Sequence, residues 1–227
     1  MNRKKLAQYK GKLSAAQLAA GMNAARANAR RLAGDAKLLL ENRRYPSALA
    51  LAVLSIEESG KLSILRALAV ARMDEESKQA WREYRSHTAK NRLWPIFELI
   101  MKGARELDDF ASLVAQDVEH PALLDQVKQI ATYTDCLGDR HWSNPDTVIN
   151  RDLASQVVRT AELLSHRDDV SAREMELWIE HVQPVWMGRK ELMEKAVVDW
   201  HAALQAEGLK AEDQDGMEKF IIEGYQP

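Results

Sequence analysis

The residues best suited to chemistry lie in the segment IEESGK, where two carboxylates and an ammonium group interrupt an apolar stretch. On a helix, Glu57 and Lys61 lie one turn apart in line with leucines, and Glu58 also lies in line with leucines. Because burying an unpaired charge is costly, we expect these groups to have partners. Gly60 is costly inside a helix, so we expect it to permit a close helix approach. The charged groups predict either a functional site or an internal ion-pair network that fixes helix register and includes a Glu57–Lys61 pair.

A second polar set lies in YRSHTAKN, where His87, Lys90 and Asn91 share a helix face with Tyr84. An imidazole can move the proton of a ribose 2′-hydroxyl, and a cation can stabilise the charged phosphorane, so this set suits phosphodiester chemistry. A histidine between aromatic rings is also typical of a satisfied core or interface position. We expect the two polar sets to meet in space through antiparallel packing of their helices.

Aromatic residues also occur in the segment TYTDCLGDRHWSNPDT, which predicts a long loop because glycine, proline, aspartate and asparagine occur together. Tyr133, His141 and Trp142 could stack on unpaired bases. They could equally anchor the loop to the fold.

The elements that position these residues are predicted to be helices, since glycine (10) and proline (6) are scarce in 227 residues. The strand signal is weak throughout. We predict an all-α bundle of about six helices in a single domain over residues 1–206, followed by an acidic tail, 207–227, that is either flexible or docked. The predicted helical segments cover about 14–40, 46–72, 74 to at least 91, 96–118, a short stretch after 121, 148–165 and 171–206.

Other function classes lack their motifs. Neither CxxC nor HExxH occurs, and paired Glu-x-x-His, GxxxxGK[ST] and GxSxG motifs are also missing, so no metal and no cofactor are expected. Cys136 is the single cysteine, which fits a reducing cytosol. The longest apolar run, nine residues from Ala48 to Ile56, is too short to span a bilayer. The basic N-terminus is not followed by the apolar region of a signal peptide, so we expect a cytoplasmic protein without a membrane partner.

The charge is distributed unevenly along the chain. Residues 1–105 contain 21 Lys/Arg and 9 Asp/Glu, whereas residues 106–227 contain 11 and 25, although the net charge is only −2. The basic half suits a phosphate-rich partner such as RNA. Alternatively, the two halves attract each other within the fold or across a dimer.

Four segments of the chain occur in the order of the AbiV pattern: NAARANARRLAGDA, SALALAVLSIEESGK, SHTAKN and YTD (Tyr133 to Asp135). The chain therefore resembles the AbiV family of phage abortive-infection proteins over most of residues 15–165. AbiV is grouped with HEPN domains, which are compact helical bundles, many of them metal-independent endoribonucleases that act as dimers. The resemblance therefore implies phage defence by host shutdown, acting on RNA or the translation machinery. It also suggests a phage-encoded activator protein and a homodimer, for which Trp81 and Trp94 on helix stripes would supply contacts.

Active HEPN ribonucleases carry an arginine followed, after four to six residues, by a histidine, and the resemblance assigns these roles to Arg82 and His87. In one continuous helix the two side chains would point about 140° apart, so they converge only if the helix ends or bends between them. Arg159 and His166 fit the same spacing but are predicted to lie on a solvated face. The expected site therefore has His87 as acid/base, Lys90 or Lys61 as phosphate-stabilising cation, and Glu57 and Glu58 as orienting groups. The alternative function is a non-catalytic helical module that binds a phage protein and blocks a host process.

Overall fold

The computed structural model describes residues 7–91, 120–138, 140–166 and 168–211, and most of them belong to helices. The described part contains nine α-helices: α1 (Ala15–Glu41), α2 (Tyr45–Val70), α3 (Asp74–Arg85), α4 (His87–Lys90), α5 (His120–Thr132), α6 (Pro145–Val148), α7 (Arg151–Ser165), α8 (Ala172–Val182) and α9 (Lys190–Ala206). The all-α prediction is confirmed. This number exceeds the expected six because two predicted segments are each broken into two helices and because the single-turn helix α6 was not predicted.

The helices α1 and α2 form an antiparallel hairpin at the centre of the fold. Ser14 caps α1 through a capping box with Gln17, as expected for a serine before an apolar stripe. The connection contains Arg43 at φ 59°, and Pro46 lies in the first turn of α2, where its missing N–H costs no hydrogen bond. Between the helices, the Ser55 hydroxyl donates to the Ala29 carbonyl oxygen over 2.8 Å, so this buried polar group is satisfied.

The core extends from this hairpin in two directions. Toward one end, α5 and α7 pack on α1 and α2 around Leu49, Ile56, Leu124 and Val158. Toward the other end, α3 and α8 contribute Trp81 and Met175 to a second cluster with Leu18, Met22 and Leu65. The helix α9 then packs on α8.

Trp81 corrects one expectation about the surface. It is buried, with its ring edge-on to Tyr9 and Tyr84 and its indole N–H donating to the Gly11 carbonyl oxygen. Trp81 therefore supplies no contact for a dimer, and Trp94 lies outside the described residues.

The third predicted helix is not continuous to Asn91. It ends at Arg85, Ser86 adopts an extended conformation (φ −80°, ψ 131°), and a new helical turn, α4, begins at His87. The Ser86 side chain caps this turn by accepting a hydrogen bond from the Ala89 N–H. The break lies between Arg82 and His87, so the two residues do not belong to one continuous helix.

The last predicted helix is also broken, at a 3₁₀ turn (Gln183–Val185) that contains Pro184. The long loop contains a feature that the sequence did not predict, a two-stranded antiparallel hairpin of β1 (Asp135–Leu137) and β2 (His141–Ser143). Among the described helices, none is both long enough and apolar enough to cross a membrane. The predicted helix 96–118 and the tail beyond 211 lie outside the described residues.

Candidate functional site

The buried carboxylate of Glu57 is the centre of the site. Its side chain is 3% exposed, although it lies in the middle of the apolar helix α2. Its Oε1 atom accepts a hydrogen bond from Lys128 Nζ at 2.6 Å, and its Oε2 atom lies 2.7 Å from His87 Nδ1. A third basic group, Lys90 Nζ, lies 3.9 Å from Oε2. The cost of burying this carboxylate is thus offset by partners from two other helices.

A close approach between two helix backbones brings His87 and Lys90 to Glu57. A Cβ atom on Gly60 would lie 1.9 Å from the Lys90 carbonyl oxygen, so the α4 backbone rests directly on α2 at this position. The expected role of Gly60 is therefore present in the structure. Because Glu57 lies one turn before Gly60, the approach places the α4 side chains within reach of its carboxylate.

Lys128, on α5, was missed by the sequence reasoning. Its Nζ atom bridges Glu57 Oε1 and Asp125 Oδ1, the latter at 2.7 Å, and its side chain is 11% exposed. The signal that could have identified it is its place on the buried face of α5 between Leu124 and Ala131. A lysine in that stripe needs an anionic partner, but nothing in the sequence says which carboxylate supplies it.

The two lysines that face Glu57 differ in their electrostatics. Burial lowers the pKa of Lys90, and the negative charge of Glu57 at 3.9 Å only partly opposes that effect. Burial also acts to lower the pKa of Lys128, but its hydrogen bonds to Asp125 and Glu57 outweigh burial and raise the pKa overall. Relative to a free lysine, the site therefore favours the charged form of Lys128 and disfavours the charged form of Lys90.

Glu58 and Lys61 form a separate pair beside this cluster. Lys61 Nζ lies 2.5 Å from Glu58 Oε1, and both side chains are less than one-fifth exposed. The ammonium group also lies 5.2 Å from the centre of the Tyr84 ring, a cation–π contact. The expected Glu57–Lys61 pair is thus replaced by Glu58–Lys61, because Glu57 has partners from α4 and α5.

The remaining predicted site residues lie in different environments. Arg82 is exposed and donates through Nε and Nη2 to the Gln79 side chain on its own helix, so the structure does not bring it to His87. Asn91 is fully buried and donates to the Pro121 carbonyl oxygen at 3.4 Å, so its position fits a supporting role rather than a contact with RNA. Tyr133 and His141 are exposed beside and within the β-hairpin. Arg159 and His166 are exposed as expected.

The arrangement suits proton transfer at one exposed atom. The His87 side chain is 61% exposed, while its Nδ1 atom contacts the buried Glu57. Among the described residues none forms a hydrogen bond with the opposite ring nitrogen, Nε2. A histidine anchored on one edge and open on the other can exchange a proton with a bound molecule. Within the described ranges, no group of three or more His, Cys, Asp or Glu side chains is placed to hold a metal ion.

Comparison with known proteins gives a match to a protein family. The family model HEPN_AbiV, described as AbiV, matches residues 17–166, which contain both α2 and the whole Glu57–His87–Lys128 cluster. No curated protein and no solved structure matches the chain.

Proposed function

The chain belongs to the AbiV family of HEPN-type domains, and from this premise we propose that it is an abortive-infection effector that cleaves RNA without a metal ion. The trigger and the RNA target would be supplied by the infected cell, and a phage-encoded protein is a candidate activator. The proposal places the protein among the effectors of phage defence in the cytoplasm.

The observation that carries this proposal is the exposed His87 ring anchored on buried Glu57. In RNA cleavage of this kind, the 2′-hydroxyl proton passes to the imidazole while the 2′-oxygen attacks phosphorus. The bond from phosphorus to the 5′-oxygen breaks, and the departing oxygen takes a proton from the acid form of a general acid or from water. The positive charge that develops on His87 faces the Glu57 carboxylate at 2.7 Å, which stabilises it.

The phosphate-stabilising role fits Lys61 better than Lys90. Lys61 is 17% exposed and Lys90 8% exposed, so the Lys61 ammonium group is the more accessible to a phosphate oxygen. Glu58 orients Lys61 through the 2.5 Å contact. Arg82 could assist only after leaving its bonds to Gln79.

The test is incubation of the purified protein with total RNA in EDTA, at several pH values. We expect cleavage by the wild type and a loss of roughly 10²–10⁴-fold in rate for His87→Ala, the usual contribution of a general acid/base. His87→Asn is the second variant, because its side-chain amide can still donate to Glu57 but cannot accept the proton. The matched control is His166→Ala, an exposed histidine outside the cluster, which should cleave like the wild type.

A second function, a non-catalytic module that binds a phage protein, is favoured by one observation. The hairpin region exposes Trp142 by 75% and Tyr133 by 61%, and an exposed aromatic pair suits a protein interface. Under this alternative the wild type does not cleave RNA yet still protects cells from phage. Trp142→Ser would then abolish protection while His87→Ala would not.

We also propose that the protein is a homodimer, because many HEPN domains act as dimers. Light scattering at micromolar concentration should give twice the chain mass. If light scattering gave the mass of a single copy under the conditions in which RNA is cleaved, this would count against the homodimer.

A further inference from the structure

The Glu57 carboxylate assigns a specific protonation form to His87. Glu57 is 3% exposed and each of its oxygens has its own close partner, Lys128 on Oε1 and His87 on Oε2. A lysine ammonium has donors only, so it binds the carboxylate in its ionised form. Lys90 adds a second positive charge at 3.9 Å. An ionised carboxylate accepts hydrogen bonds and cannot donate one, and the proton between Glu57 and His87 therefore belongs to Nδ1.

Lys128 is itself held in place from its other side. Its Nζ atom contacts Asp125 Oδ1 at 2.7 Å, one helical turn earlier on α5, and its side chain is 11% exposed. The hydrogen bond to Glu57 and the ion pair with Asp125 together restrict the ammonium group more than one contact would. Without Lys128, Oε1 of Glu57 would lose its partner, and the carboxylate could rotate toward Lys90.

We propose that Lys128 is the positioning residue of this site: by clamping Glu57 it fixes His87 with a proton on Nδ1 and with the free electron pair on the exposed Nε2 atom. The other neutral form of the ring would place the electron pair on Nδ1, where Glu57 repels it and no substrate can reach it. The consequence for catalysis depends on the proposed ribonuclease function, whereas the ring form itself does not.

The ring form can be measured without RNA. Full-length protein labelled with ¹⁵N at histidine is examined by long-range ¹H–¹⁵N correlation NMR at a pH where His87 is neutral, and His87→Ala assigns its signals. We expect a protonated nitrogen at Nδ1 and an unprotonated one at Nε2 in the wild type. In Lys128→Met we expect a shift to a mixture of both forms, and in Lys128→Arg, which keeps a donor, a return toward the wild-type spectrum.

Two further variants keep this test decisive. Lys78→Met removes an exposed lysine that pairs with Glu75 at the same i,i+3 spacing, and it should leave the His87 signals unchanged. If Lys128→Met does not fold, Asp125→Asn decides, because it loosens Lys128 without leaving a buried lysine on its own. Protonation of Nε2 in the wild type would overturn the proposal. So would an unchanged wild-type spectrum in every folded variant of Lys128 and Asp125.

An activity measurement separates this inference from the proposed function. If the wild type cleaves RNA, Lys128→Met should lower kcat by at least roughly tenfold with little change in KM, because the wrong ring form misplaces the base without removing a substrate contact. Lys128→Arg should recover most of the loss. A wild type that has the predicted ring form but does not cleave RNA would refute the ribonuclease proposal and leave the positioning role intact.

Discussion

Replacing Gly60 with alanine tests the contact on which the whole site depends. The new Cβ atom would lie 1.9 Å from the Lys90 carbonyl oxygen and 2.8 Å from its carbonyl carbon, and both are backbone atoms that cannot rotate away. Ordinary van der Waals contact begins at about 3.4 Å, so the separation must grow by at least roughly 1.5 Å. Since α2 lies in the core, α4 must move. A shift of that size would stretch the 2.7 Å contact between His87 and Glu57 beyond hydrogen-bonding range.

The expected loss of stability combines three contributions. Overpacking costs roughly 1–3 kcal/mol, and the better helix propensity of alanine returns about 1 kcal/mol. The lost hydrogen bond adds about 1 kcal/mol, a modest figure because the His87 ring is 61% exposed and its interactions are screened by solvent. We therefore expect Gly60→Ala to lower the free energy of unfolding by roughly 1–3 kcal/mol.

Urea denaturation followed by circular dichroism measures this loss, and Gly34→Ala is its matched control. Gly34 lies within α1 and has no atom within 4 Å of an added Cβ, so the same substitution there should stabilise the protein by up to about 1 kcal/mol. If Gly60→Ala proved as stable as Gly34→Ala and the His87 NMR signals kept their wild-type form, the argument for a close α2–α4 contact would be wrong.

The remaining predictions concern the charges and the cap around the same contact. Lys90→Met should leave the protein as stable or make it more stable, because a lowered pKa means that folding disfavours the charged form of Lys90. Lys128→Met, in contrast, should lower the free energy of unfolding. Urea denaturation at pH 7 compares the two variants. Because folding raises the pKa of Lys128, its contribution to stability is complete below the pKa of the unfolded state, near 10.4, and is lost as the pH rises through the pKa of the folded state. Raising the pH above about 10.4 should therefore destabilise the wild type more than Lys128→Met. Ser86→Ala removes the cap of α4 and should cost about 1 kcal/mol of stability, with increased hydrogen exchange at Ala89, whereas unchanged exchange would show that the cap is not needed.

The helical framework could be predicted because its signals are local. Ser14 and Gln17 specify a capping box within four residues, and the stripe from Leu18 onward repeats at the period of a helix. That Glu57 and His87 belong to the polar cluster could also be predicted, since each places a polar group in an apolar or aromatic stripe. In both cases the information lies in the residue and its immediate neighbours.

The pairing within the cluster could not be predicted, because it depends on which helices meet. Spacing favoured Glu57–Lys61, but Lys61 binds Glu58 while Glu57 binds Lys128, which lies 71 residues away. The break at Ser86 was also missed. Serine three residues before Ala89 is a capping signal, but the polar and aromatic pattern continues across it and favoured one long helix.

The distribution of exposure in the cluster favours the proposed site over a register-fixing network. Glu57, Lys128 and Lys90 are each at least 89% buried, as a network that fixes helix register requires. His87 is different, because its ring is 61% exposed although it binds the same carboxylate. A purely structural network gains little from such a member, since Lys128 already satisfies the carboxylate in the protected interior. The buried carboxylate is held by partners inside the protein, and one titratable ring is left open to solvent. We expect this arrangement when the network positions the histidine, not when the histidine only completes the network.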